Sequence, residues 1–229
     1  MRLSEGKYIG SGLELSALRE SEVIRYLGYR KQQPEPAVME LVHACMQEAA
    51  QKAQPRCIYR RYQLEWSEDG LCFAGMKVRS RNLSRNLRGC ESVILFAATL
   101  GSEIDRLLGR YLKLQIAKAA VLQATAAEAI ECFCDSWQRQ IEELAKQEGL
   151  YVRPRFSPGY GDLSLTLQPD FLRALDTQKQ IGLYLSEGGI MLPEKSVTAV
   201  MGLSREETRC VLQGCEACEN TGCAFRRCE

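Results

Sequence analysis

Residues 112–148, LKLQIAKAAVLQATAAEAIECFCDSWQRQIEELAKQE, decide how this chain of 229 residues folds. A stripe at steps of three and four runs through Ile116, Ala120, Gln123, Ala127, Ile130, Cys134, Trp137, Ile141 and Leu144. That period belongs to an α-helix with one face against a core. The stretch therefore predicts one long central helix from Leu112 to Glu148, with Gly149 as its C-terminal stop.

On either side of this helix the pattern shortens. Upstream, Val93 to Thr99 is an apolar run of strand length, expected to be buried. Leu100-Gly101 breaks it, and Ser102 with Asp105 resembles a capping box opening a helix. Further back, Ile58, Tyr62, Leu64 and Trp66 alternate with Tyr59, Arg61, Gln63 and Glu65, a strand pattern. Ser67-Glu68-Asp69-Gly70 then reads as a hairpin turn, and Leu71 to Val78 as the partner strand. Two helices precede these strands, from Glu20 to Gly28 with Ser21 as N-cap, and from Pro36 to about Lys52.

Downstream, Pro169 and Asp170 open a helix to about Gln178. Leu183 to Leu185 and Ile190 to Leu192 read as strands around Ser186-Glu187-Gly188-Gly189, and Ser196 to Met201 as another. Ser204 with Glu207 predicts a capped helix leading into the C-terminal tail. Strands, then helices, then strands favour an α+β fold over regular βαβ alternation. The expectation is a single domain over residues 1–204 with a twisted, largely antiparallel sheet. A cysteine-rich tail over 205–229 follows it.

Composition narrows the function. Lys plus Arg total 30 against 29 Asp plus Glu, so bulk charge offers no reason to bind nucleic acid or acidic lipid. No apolar run approaches the ~20 residues that span a bilayer. The start, Met1 to Gly6, lacks the apolar segment of a signal peptide, so the expected location is cytoplasmic. His43 is the one histidine, which gives histidine-based catalysis thin support and rules out a His-rich metal site. An ordinary structural role is expected for it. No Gly-x-Gly-x-x-Gly or P-loop spacing is present.

Of 11 cysteines, Cys210, Cys215, Cys218, Cys223 and Cys228 crowd the tail. Cys215-x-x-Cys218 is a ligand-hairpin spacing, whereas the outer spacings match no standard zinc or ferredoxin pattern. Two readings stay open: these five residues hold zinc or an iron–sulfur cluster, or they are free or redox-active thiols. The scattered cysteines read as small buried hydrophobes.

Two segments carry binding chemistry. The run Arg153-Pro154-Arg155-Phe156-Ser157-Pro158-Gly159-Tyr160-Gly161-Asp162 places Pro158-Gly159 at the centre of a type II turn. Such a loop is rigid and presents Arg155, which can clamp a carboxylate, and Tyr160, with a flat face and a hydroxyl. The plain alternative is a tight connection with a surface arginine and a core tyrosine. On the long helix, Glu128, Glu131 and Asp135 fall at i, i+3 and i+7 among small alanines. They form either a ligand-facing acidic wall or a solvated acidic face.

Arg155 to Tyr160 fits an Arg-x-x-x-Gly-Tyr signature and thereby resembles the activation domain of cobalamin-dependent methionine synthase. Gly161 to Leu165, Arg25 to Tyr29, Ala98 to Gly101 and Pro193 to Val197 are similar to the short, stand-alone activation-subunit form of that family. The resemblance spans about Glu20 to Ser204. It implies an S-adenosylmethionine-binding subunit that supports reductive remethylation of cob(II)alamin. The cobalamin would be carried by a partner, a methionine synthase core lacking its activation domain. Electrons would come from a flavodoxin or ferredoxin. By motif, Arg155 and Glu128 match residues that hold the adenosylmethionine. Tyr160 matches the tyrosine facing the corrin, and Ser157 and Gly159 belong to the same ligand loop. After Ser204 the chain departs from the long family form, turning to cysteines where that form continues with aromatic sequence. Two other classes remain in view: a metal-binding or redox accessory protein for another corrinoid methyltransferase, and an interaction scaffold.

Overall fold

A computed structural model describes residues 2–29, 32–68 and 70–207. Its strands and helices in chain order are β1 (Glu5–Ile9), α1 (Glu20–Tyr26), α2 (Pro36–Lys52), β2 (Arg56–Gln63), β3 (Glu65–Ser67), β4 (Gly70–Phe73), β5 (Met76–Val78), α3 (Arg81–Asn86), β6 (Ser92–Thr99), α4 (Ser102–Leu114), α5 (Ile116–Gln147), β7 (Tyr151–Val152), α6 (Gln168–Leu175), α7 (Thr177–Ile181), β8 (Tyr184–Leu185), β9 (Met191–Leu192) and β10 (Ser196–Ser204). The main sheet has the order β1-β2-β6-β10-β7, and its pairings are antiparallel. A three-stranded meander (β3-β4-β5) and the β8-β9 hairpin complete the strands. This is the α+β architecture expected, antiparallel sheet and long central helix included.

β6 is apolar from Val93 to Ala98 and buried along its whole length because both faces of the sheet are covered. Ile94, Phe96 and Ala98 point into one cluster with Cys57 and Tyr59 of β2, beneath α2, α4 and α5. Val93, Leu95 and Ala97 point into a second cluster with Ile58, the meander, α6 and α7. Strand alternation thus separates two cores on the two sides of one sheet. α5, with 32 residues, is about 48 Å long and packs along the first of these cores.

Several expectations are corrected. The helix predicted from Leu112 is broken at Gln115, which is extended (φ −151, ψ 75), so Leu112 and Leu114 end α4 and Ile116 begins α5. Three apolar residues at every second position do not share one helical face, and all three are exposed here, Ile116 by 75 %. The corner is tied to α2: the Tyr111 hydroxyl donates to Glu48 (2.6 Å), and Lys118 donates to Tyr111 (2.8 Å) and reaches Glu48 (3.0 Å). The first half of the predicted stripe is also out of phase. Ala120 and Gln123 face solvent, while Ala119, Leu122 and Ala126 are buried. An alanine-rich segment leaves the phase ambiguous.

The predicted caps at Ser21 and Ser102 do not form. Arg19 and Gly101 occupy those N-cap positions without side-chain capping, and Asp105 instead accepts the Glu194 N–H at 2.9 Å. Leu71 to Val78 is not one strand but two, β4 and β5, because Ala74 and Gly75 take positive φ and turn the chain. The helix predicted to Gln178 ends at Leu175, where Asp176 is left-handed (φ 51), and α7 follows. Ser204 closes β10 with its hydroxyl accepting the Glu206 N–H. The helix expected to open at Ser204 does not begin there, since residues 205–207 are a bend and irregular chain; its remainder and the candidate ligands Cys210, Cys215, Cys218, Cys223 and Cys228 lie outside the described residues.

Candidate functional site

The loop after α5 is held to the sheet by its backbone. β7 pairs with the end of β10, the Arg153 N–H donates to Gly202 (2.8 Å), and Phe156 and Val200 exchange hydrogen bonds of 2.9 and 2.8 Å. Residues 151–156 therefore run along the sheet edge, where Pro154 removes no ladder bond. Beyond them, Tyr160 N–H donates to the Ser157 carbonyl (3.0 Å) and Gly159 has φ 90, the turn expected from Pro158-Gly159. The Gly159 N–H also donates to Leu163 (2.7 Å), which closes the loop on itself. At its far end, Asp162 accepts from the Ser80 hydroxyl and from the N–H groups of Arg81 (2.7 Å) and Asn82 (3.2 Å), at the start of α3. These bonds, the Ser80 hydroxyl first, hold the Asp162 carboxyl below the usual aspartate range.

Between these anchors the side chains reverse the plain reading of a surface arginine and a core tyrosine. Arg155 is 15 % exposed and lies across α5, donating to Gln138 (3.0 Å), Asp135 (2.7 Å) and Glu131 (3.3 Å). Three of its five N–H donors are so used. Tyr160 is 60 % exposed, with its ring edge-on to Phe156 at 6.2 Å.

One turn toward the N-terminus of α5, Glu128 is completely buried rather than solvated. Its partner is Arg19, just ahead of α1, a residue that sequence reasoning missed. Arg19 Nε donates to Glu128 Oε1 (2.8 Å), Nη2 to Oε2 (3.3 Å), and the Arg19 N–H also reaches Oε1 (3.3 Å). Burial pushes the Glu128 carboxyl up, and Arg19 pulls it the other way. Arg19 also approaches Asp135 Oδ2 at 3.6 Å, so Asp135 lies between the two arginines. A pair separated by 109 residues in sequence leaves no local signal that could have found it.

The result is a strip of three carboxylates, two guanidiniums and one amide along α5, with Glu131 and Asp135 partly open to solvent. Such a strip can bind and orient a zwitterion. The nearby Cys132 thiol is pushed up by burial and donates to the Ala17 carbonyl, which makes it a poor nucleophile. His43 stands on α2, exposed and paired with Glu20 at 2.7 Å. Among the described residues no group of three or more His, Cys, Asp or Glu is placed to hold a metal ion. No described helix is long and apolar enough to cross a membrane.

No protein-family description matches the chain, and no curated protein matches it in sequence. Among solved structures, the crystal structure of the MetH reactivation domain bound to AdoHcy is similar, with a TM-score of 0.65. The match covers 91 % of this chain and 80 % of that one, at 15 % identity. At that identity the likeness shows a shared fold.

Proposed function

We propose that this chain binds S-adenosylmethionine along the strip between α5 and the Arg153–Asp162 loop. It would thereby serve as a separate reactivation subunit for a cobalamin-dependent methionine synthase. One observation carries the reading. Arg155 of the Arg-x-x-x-Gly-Tyr motif sits within the shared fold against the acidic face of α5, on a loop anchored at both ends.

The residues present fit the methionine end of that ligand. Its carboxylate needs a donor, and Arg155 retains N–H groups beyond the three it uses. Its ammonium and sulfonium need negative charge, which Glu131 and Asp135 supply at the open edge of the strip. Bound there, the adenosylmethionine supplies the methyl group for the cobalt. The chain itself binds and orients. Arg155 and the acidic wall fix the amino-acid end, Ser157 and Gly159 shape the turn, and Tyr160 presents an aromatic face outward.

In this reading the cobalamin is held by the synthase core, and a flavodoxin or ferredoxin delivers the electron. Within residues 205–229, the five cysteines hold zinc or an iron–sulfur cluster. The test is reconstitution. A synthase core lacking its own activation region is trapped as cob(II)alamin, then given S-adenosylmethionine and a reductant. Turnover should recover only when this chain is added, and recovery at the same rate without it would defeat the proposal.

A further inference from the structure

Glu128 has no exposed surface and both of its oxygens are taken by Arg19. A carboxylate so enclosed is in no position to receive a ligand's ammonium directly. The guanidinium that encloses it is different, because the Arg19 side chain is 44 % exposed. We infer that Arg19 is the residue through which Glu128 acts. Arg19 contacts the ligand, and Glu128 is a positioning residue that fixes its guanidinium beside that of Arg155.

The placement of Asp135 supports this. One of its oxygens faces Arg155 Nη2 (2.7 Å) and the other faces Arg19 Nη2 (3.6 Å). The Asp135 carboxylate thus sits between the two guanidiniums, one oxygen to each, which sets them about a carboxylate's width apart. A ligand carboxylate at the open edge meets the N–H groups that these acids leave unused, and on Arg19 those are solvent-facing. The same two arginines give no comparable contact to a cationic amine.

Neutralising Glu128 accounts for one edge of the Arg19 guanidinium and leaves its exposed edge unexplained. The segment before Arg19 is already fastened to the body by other groups. Gly10, Gly12 and Leu13 donate to the carbonyls of Pro55 (2.9 Å), Ala53 (2.8 Å) and Ala50 (2.7 Å), Leu18 is buried, and Cys132 donates to Ala17. The segment is thus held at several points besides the Arg19 guanidinium, which also neutralises the buried Glu128 and keeps an exposed side free.

The inference rests on the proposed adenosylmethionine site and sharpens it into a specificity for the ligand's carboxylate. Its test is calorimetric titration with S-adenosylmethionine and with decarboxylated S-adenosylmethionine. Wild type should prefer the former by roughly tenfold or more, a single charge-assisted contact being worth at least that. Arg19→Gln should bind S-adenosylmethionine roughly tenfold more weakly and bind the decarboxylated analogue unchanged, so the preference shrinks. Glu128→Gln should shrink it less, and the double variant should match Arg19→Gln alone. If Arg19→Gln does not fold, the double variant gives the same readout, since it leaves no buried charge unpaired. Binding by wild type with an undiminished preference in the Arg19 variant overturns this inference alone. An absence of binding by wild type removes the underlying site and the inference with it.

Discussion

Asp162→Ala probes the anchor of the Arg153–Asp162 loop. The Asp162 carboxylate accepts two backbone N–H groups at the start of α3, from Arg81 and Asn82. It also accepts the Ser80 hydroxyl, which in turn accepts the buried Leu83 N–H as the cap of that helix at 3.0 Å. Charge-assisted hydrogen bonds are worth about 1.5–3 kcal/mol each when shielded. Asp162 is exposed, so water replaces much of what is lost, and the appropriate scale is that of a helix cap, about 1 kcal/mol. For a chain of this size that is a fall of roughly 2–4 °C in Tm. The pH dependence is more diagnostic. The folded-state carboxyl is held below its ordinary value, so its stabilisation is complete above about pH 4 and is lost as pH falls through the lower folded value. Urea unfolding of wild type and Asp162→Ala at pH 7 and at pH 3 should show a gap at pH 7 that narrows at pH 3. Equal midpoints at pH 7, or a gap that persists unchanged at pH 3, would refute the assigned hydrogen bonds.

Gly159→Ala should destabilise by about 1–2 kcal/mol, because φ 90 is costly for an L-residue and the added Cβ comes within 2.9 Å of Leu165. An unchanged urea midpoint would mean that the turn differs in solution. Tyr160→Ala should change stability by no more than about 1 kcal/mol, the scale of its edge-on contact with Phe156. The same variant should slow reactivation of the synthase core, and an unaltered rate would make the exposed ring incidental. The cysteine tail should bring one metal centre with the protein when it is purified without oxygen. Less than about a tenth of an equivalent of zinc or iron per chain would leave the thiols without that role.

How much of this was legible depends on the range of the signal. β6 was readable because a strand covered on both faces needs an unbroken apolar run, here Val93 to Ala98, and α5 because Ile130, Cys134, Trp137 and Ile141 keep its phase. The break at Gln115 had a weak signal in Leu112, Leu114 and Ile116, which fall off one helical face, but the contacts of Tyr111 and Lys118 with Glu48 at the corner come from another helix. β1 was missed because an exposed edge strand of five residues has little apolar pattern and exists by pairing with β2. In the site, the Pro158-Gly159 turn and the i, i+3, i+7 acids follow from local chemistry, and both are present. The burial of Glu128 was misjudged because the residue that covers it, Arg19, comes from the distant N-terminal segment.

Binding of S-adenosylmethionine through Arg155 is open to calorimetric titration. Wild type should show saturable binding at one site per chain. Arg155→Ala should weaken that binding by roughly ten- to a hundredfold, the loss of about 1.5–3 kcal/mol of charged hydrogen bonding. No saturable heat with wild type, or an affinity that Arg155→Ala leaves unchanged, would contradict the account.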